Sequence, residues 1–157
     1  MLDDKSQDLI FRDAHTPQGF LDTPVSDEKL RQVYDLMKWG PTTMNTQPMR
    51  IVFVRSKAAK EKLAPALSPG NLDKTMKTQV TAIIAYDSRF YEHLPRTFPN
   101  NPKAKDGFEG EGRQASNDRV ALRNGSLQGA YFIVAARALG RECGPMSGFG
   151  NAKLEAA

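Results

Sequence analysis

Apolar residues recur at helical spacing at Leu30, Val33, Tyr34 and Met37, directly after Ser26-Asp27-Glu28. A hydroxyl cap followed by acids in the first turn suits a helix start, and Gly40-Pro41 suits its end. The pattern therefore predicts a helix ending near Trp39 with those four side chains on its buried face. Two short unbroken apolar runs, Ile51-Val52-Phe53-Val54 and Val80 to Tyr86, are rich in β-branched and aromatic residues. They predict two buried strands, the second with Ile83 and Ile84 in its middle. Between them, Ser56 to Leu67 predicts a helix with an Ala/Lys/Glu surface, its last turn limited by Pro65. A turn at Ser68-Pro69-Gly70-Asn71 and a short helix over Leu72 to Lys77 follow. At the front, Asp4 to Arg12 predicts a short helix with Leu9, Ile10 and Phe11 on its apolar side and Asp3 or Asp4 as its cap. Thr16 to Pro24 is a loop. The longest helical stretch is Arg113 to Leu139, with Val120, Leu127, Ala130, Tyr131, Val134, Ala135 and Ala138 tracing its apolar side. Asn124 and Gln128 fall on its more polar side, facing a ligand or solvent. Gly125, Ser126, Gly129 and Ala130 leave room for close approach of another helix, and Gly140 ends the run. Arg141 to Phe149 predicts a third short strand and turn.

Asp87 to Gly112 breaks the pattern, with Pro95, Pro99, Pro102, Gly107, Gly110 and Gly112 among mixed charges. Phe90, Tyr91, Phe98 and Phe108 are too many aromatics for a flexible linker, so parts of it should pack as short helices. It reads equally as a lid over a cleft or partner and as a plain surface insertion. A chain of 157 residues suits one domain, here residues 1–157. Its 39% hydrophobic and 25% charged residues match a globular protein. No apolar run reaches the roughly 20 residues that span a bilayer, and Met1-Leu2-Asp3-Asp4-Lys5 has no secretory apolar core. The single cysteine, Cys143, excludes an intramolecular disulfide and fits a cytoplasmic setting. The +4 charge comes from scattered basic residues, which argues against nucleic acid. His15 and His93 are the only histidines and have no metal-ligand spacing, so no metal is expected. Serine-nucleophile, Walker and dinucleotide glycine motifs are absent.

Three segments carry candidate chemistry. Gly40-Pro41-Thr42-Thr43-Met44-Asn45-Thr46-Gln47-Pro48 is bounded by prolines and holds only neutral polar groups. It can offer donors and acceptors to a polar heteroaromatic edge without adding charge, or serve as an ordinary turn. Phe11-Arg12-Asp13-Ala14-His15-Thr16 places Arg12 and His15 three apart, near enough to face one ligand. Arg141-Glu142-Cys143-Gly144-Pro145-Met146-Ser147-Gly148-Phe149 combines glycines with a half-polar turn.

In this order and spacing the three segments resemble the FMN-dependent nitroreductase family, closest to its malonic semialdehyde reductase (3-hydroxypropanoate dehydrogenase) branch. The resemblance runs through nearly the whole chain. It implies an α+β fold with a central sheet flanked by helices, a homodimer, and FMN with NADH or NADPH as reductant. It implies that Arg12, Ala14 and His15 contact the phosphate and ribityl chain. Thr42, Thr43, Asn45 and Gln47 would meet the flavin or its ribityl chain, from this subunit or a second. Pro145, Met146, Ser147 and Gly148 would flank the ring. The cofactor carries the hard step, so no catalytic side chain is expected. Malonic semialdehyde or a nitro compound is the implied small-molecule acceptor. The chain departs from the family where His15 replaces a more usual Arg or Lys and where Gly150 follows Phe149 in place of an acid. It stops at Asn151-Ala152-Lys153-Leu154-Glu155-Ala156-Ala157, before the usual C-terminal strand and arm. An inactive or truncated nitroreductase-like binding module is therefore the alternative, and a basic adaptor for an acidic partner a third reading.

Overall fold

A computed structural model describes residues 1–157. Its regular elements in order are α1 (Asp4–Gln7), α2 (Asp27–Met37), β1 (Met49–Val54), α3 (Lys57–Leu63), α4 (Pro69–Lys77), β2 (Thr81–Tyr86), α5 (Leu94–Thr97), α6 (Gln114–Ala138) and α7 (Asn151–Glu155). The Asp87 N–H donates to Pro48 O at 2.8 Å, so the end of β2 lies beside the start of β1 and the two strands run antiparallel. Two compact units share these elements: residues 1–31, 53–83 and 136–157 form one, and residues 32–52 and 84–135 the other.

In the first unit, Asp3 caps α1 through the Ser6 N–H at 2.8 Å, and a wide π-type turn continues it over Asp8–Arg12. Ser26 caps α2 through the Lys29 N–H, and Ser56 caps α3 through the Ala59 N–H. Arg55 reaches back to the Asp27 carboxylate and the Val25 carbonyl. Pro65 tightens the end of α3 into a 3₁₀ turn, as its missing N–H requires. Pro69-Gly70-Asn71, expected to be a free turn, is instead the first turn of α4. Proline fits there because the N–H it lacks would have been unpaired anyway. Arg141–Phe149 does not form a strand. Only an isolated antiparallel bridge joins Phe149 to Leu67, since Gly144, Gly148 and Pro145 cost too much to order into a ladder.

In the second unit, Val33 and Met37 of α2 are buried as the spacing predicts, but Tyr34 is 55% exposed. Position 34 is turned about 100° from Val33, and its ring takes the Lys38 ammonium at 5.9 Å instead of the core. The strands are only half buried: Val52 of β1 and Ile84 and Tyr86 of β2 are exposed. A sheet of two strands leaves much of its surface uncovered, so these unbroken apolar runs are less buried than their composition predicts. The 87–112 stretch folds into short helical pieces around Phe90 and Leu94, both fully buried. Phe90 meets Tyr91 and Phe108 edge-on, with ring centroids 5.9 and 5.2 Å apart.

On α6 the apolar side is open to solvent at Leu127, Tyr131 and Val134, while Asn117, Ala121, Asn124 and Gln128 are buried. Those four lie four, three and four residues apart, so they form one helical face as regular as the apolar one. Tyr131 lies over Gly40, where an added Cβ would sit 2.6 Å from its Cγ.

Candidate functional site

The front segment and the 141–149 segment meet in the first unit, on a buried arginine. Arg137 donates to Leu9 O from Nε at 3.2 Å and Nη2 at 3.0 Å, and to Glu142 Oε2 from Nη1 at 2.6 Å. One planar fork thus ties the turn that carries Arg12 to the irregular segment that carries Pro145–Gly148. Thr16 Cγ2 and Phe20 Cζ lie 3.6 and 3.5 Å from where a Cβ on Gly144 would stand. Arg12 is half exposed and pairs with Asp4 at 3.1 Å and Asp8 at 2.5 Å. Such exposed pairs are worth at most about 1 kcal/mol, so an anion could displace them cheaply. His15 Nδ1 faces Asp13 O at 2.9 Å. Facing a carbonyl, Nδ1 must carry a hydrogen, so Nε2 donates outward only when the ring is an imidazolium.

Pro145–Gly148 is anchored to the start of α4. Gly148 O accepts from the Ser68 N–H at 2.9 Å and from Asn71 Nδ2 at 3.0 Å. A Cβ on Gly148 would lie 2.7 Å from Asn71 Nδ2, so an alanine there would push that carboxamide aside. Met146 Sδ meets the hydroxyl of buried Thr75 at 3.8 Å. Burial raises the Cys143 thiol pKa above the ordinary 9.0, and the Arg137 charge only partly offsets this. A neutral half-buried thiol is a poor nucleophile, which agrees with a structural role.

Thr42, Thr43, Asn45 and Gln47 belong to the second unit. Met44, Asn45 and Gln47 adopt left-handed backbone with φ of 46°, 50° and 44°. Each non-glycine residue there costs about 1–2 kcal/mol, and asparagine less. Buried carboxamides of α6 hold the loop against that cost: the Thr43 N–H donates to Asn124 Oδ1 at 2.8 Å and the Met49 N–H to Gln128 Oε1 at 2.9 Å. Arg50 Nη1 adds bonds to Gln47 O at 3.1 Å and Met49 O at 2.9 Å, while its Nη2 pairs with Asp87 at 2.7 Å. At about 0.5–1.5 kcal/mol net for each bond, these contacts match the strain. Sequence reasoning left Asn124 and Gln128 open and missed Arg50 and Asp87. The regular spacing of carboxamides along α6 was the available signal for the first pair; nothing local marked the second.

The predicted residues thus fall into two groups, Arg12–His15 with Pro145–Gly148 in one unit and Thr42–Gln47 in the other.

The fold is α+β and nitroreductase-like, and the chain belongs to the nitroreductase family, whose model matches residues 12–157. It is 56% identical over 150 residues to a Cupriavidus pinatubonensis protein provisionally named NADH dehydrogenase/NAD(P)H nitroreductase, covering 96% of this chain and 76% of that one. A Stenotrophomonas maltophilia protein of the same provisional name is 57% identical over 156 residues, covering 99% and 78%. A nitroreductase-like protein of Exiguobacterium sibiricum, solved in complex with FMN, superposes with a TM-score of 0.85 at 15% identity, covering 99% of this chain and 80% of that one. A structure from Staphylococcus epidermidis described as an NAD(P)H:FMN oxidoreductase gives 0.81 at 17%, covering 99% and 79%. At these identities the structures establish the nitroreductase-like α+β fold.

Proposed function

We propose that this chain is an FMN-dependent NAD(P)H oxidoreductase acting as a homodimer in the cytoplasm. The observation that carries the reading is 56% identity, over nearly the whole chain, to a relative named for NAD(P)H-dependent nitroreduction. Arg12 supplies a forked, charge-assisted contact to the phosphate, with Ala14 and His15 beside it. Pro145, Met146, Ser147 and Gly148 flank the ring, held by the Ser68 and Asn71 bonds to Gly148 O. Thr42, Thr43, Asn45 and Gln47 offer neutral donors and acceptors to the flavin or its ribityl chain, of this subunit or of a second. Bound FMN supplies hydride acceptance from the nicotinamide and its passage to an acceptor. The chain's own contribution is binding, orientation and exclusion of water, and no side chain acts as nucleophile or base. Small acceptors, malonic semialdehyde or nitro compounds, fit this chemistry. The exposed stripe Leu127, Tyr131 and Val134 on α6 supports association of two copies, since an apolar patch of this kind marks an interface.

NADH or NADPH oxidation, followed with added FMN and with either acceptor class, tests the reading. FMN-dependent turnover is expected. Oxidation that FMN does not stimulate with any acceptor would leave only a nitroreductase-like binding module.

A further inference from the structure

In the second unit three carboxamides form a chain between two backbone groups. The Met49 N–H meets Gln128 Oε1 at 2.9 Å, Gln128 Nε2 meets Gln47 Oε1 at 2.6 Å, Gln47 Nε2 meets Asn45 Oδ1 at 2.8 Å, and Asn45 Nδ2 meets Thr97 O at 2.6 Å. Both ends have fixed polarity. A peptide N–H can only donate, so Gln128 must turn its oxygen toward Met49 and its nitrogen onward. A peptide carbonyl can only accept, so Asn45 must turn its nitrogen toward Thr97. Gln47 then has one orientation left, and its second amide hydrogen is taken by Gly40 O at 3.3 Å. No member can flip without setting donor against donor or acceptor against acceptor. Asn45, which is exposed, keeps one amide hydrogen outside the chain. Asn124, 1% exposed, fixes the other end of the loop through the Thr43 N–H and spends its own nitrogen on Val120 O at 2.9 Å.

We infer that Gln128 and Asn124 are positioning residues for the Thr42–Gln47 loop. They hold its left-handed backbone and fix it as a hydrogen-bond donor, from Asn45, toward an acceptor edge such as a ring carbonyl. This rests on the reading of the loop as a cofactor contact. The link to Thr97 also makes the 87–112 stretch part of the loop's support, so changes there reach the site without touching a ligand.

Two measurements test it. Amide hydrogen exchange on the wild-type protein should find Thr43 and Met49 protected by about a hundredfold or more, although the first lies in the loop and the second just after it. Free-peptide exchange at both amides would overturn the inference without any variant. Gln128→Glu puts an oxygen against Gln47 Oε1 and cannot be accommodated by reversal, because Thr97 O cannot donate. It should raise the FMN dissociation constant about tenfold or more and speed exchange at Met49. Asn117→Ala is the control: its carboxamide is also buried on α6 and also bonds a carbonyl, Phe108 O at 2.8 Å, but not the loop. It should lower the melting temperature comparably with FMN affinity within about twofold. Equal loss of FMN affinity in both variants, or none in Gln128→Glu, would overturn the inference. A wild-type protein that takes up no FMN would sink the functional reading alone. Exchange at Thr43 and Met49 would still decide the positioning role.

Discussion

At the residue scale, close approach separates glycines that look alike in the sequence. A Cβ on Gly40 would meet the base of the Tyr131 ring at 2.6 Å, and Cγ cannot move without a new rotamer. Gly40→Ala should therefore cost about 1–3 kcal/mol in urea unfolding. Gly148→Ala meets the tips of Asn71 and Ser68, which can swing away, so its cost should be under about 1 kcal/mol. Rank reversal of the two would show that Tyr131 is free to leave. Cys143 carries the pH argument. Its folded-state pKa is raised by burial, so the stability it contributes is present below the ordinary 9.0 and is lost as pH rises through the higher folded value. Against Cys143→Ala, the wild type should lose stability in that alkaline window, and native Cys143 should alkylate far more slowly at neutral pH than in urea. Equal alkylation rates would contradict a buried thiol.

At the element scale, α6 decides most of what the second unit can do. Asn124→Ala leaves the Thr43 N–H without its acceptor and should cost about 1–3 kcal/mol. Denaturant unfolding without that loss would mean water replaces the carboxamide. Helix boundaries were legible because caps and stops are local: Ser26, Ser56, Pro65 and Gly140 each act within one turn. The facing of α6 was not. Its apolar and carboxamide stripes have the same period, and nothing in the sequence says that the loop after Gly40, 80 residues away, would claim the polar one. The depth of β1 and β2 was misjudged for a related reason, since an apolar run does not reveal how many strands will cover it. The Arg12, Thr42 and Met146 segments were found by resemblance to a family, while Gln128 emerged only from geometry.

At the scale of the whole molecule, the exposed stripe on α6 and the cofactor reading stand together. Leu127→Arg should convert a dimer to monomers in sedimentation analysis while leaving the secondary structure intact, because the side chain is 48% exposed in the single chain. A dimer that persists would place its interface elsewhere. The central claim is that this chain holds FMN, and titration of the purified protein with FMN, followed by flavin absorbance and fluorescence, tests it most directly. Binding of one FMN for each chain with a dissociation constant in about the micromolar range or below, weakened in Arg12→Ala, is the expected result. Spectra that stay those of free flavin up to about 1 mM would contradict it.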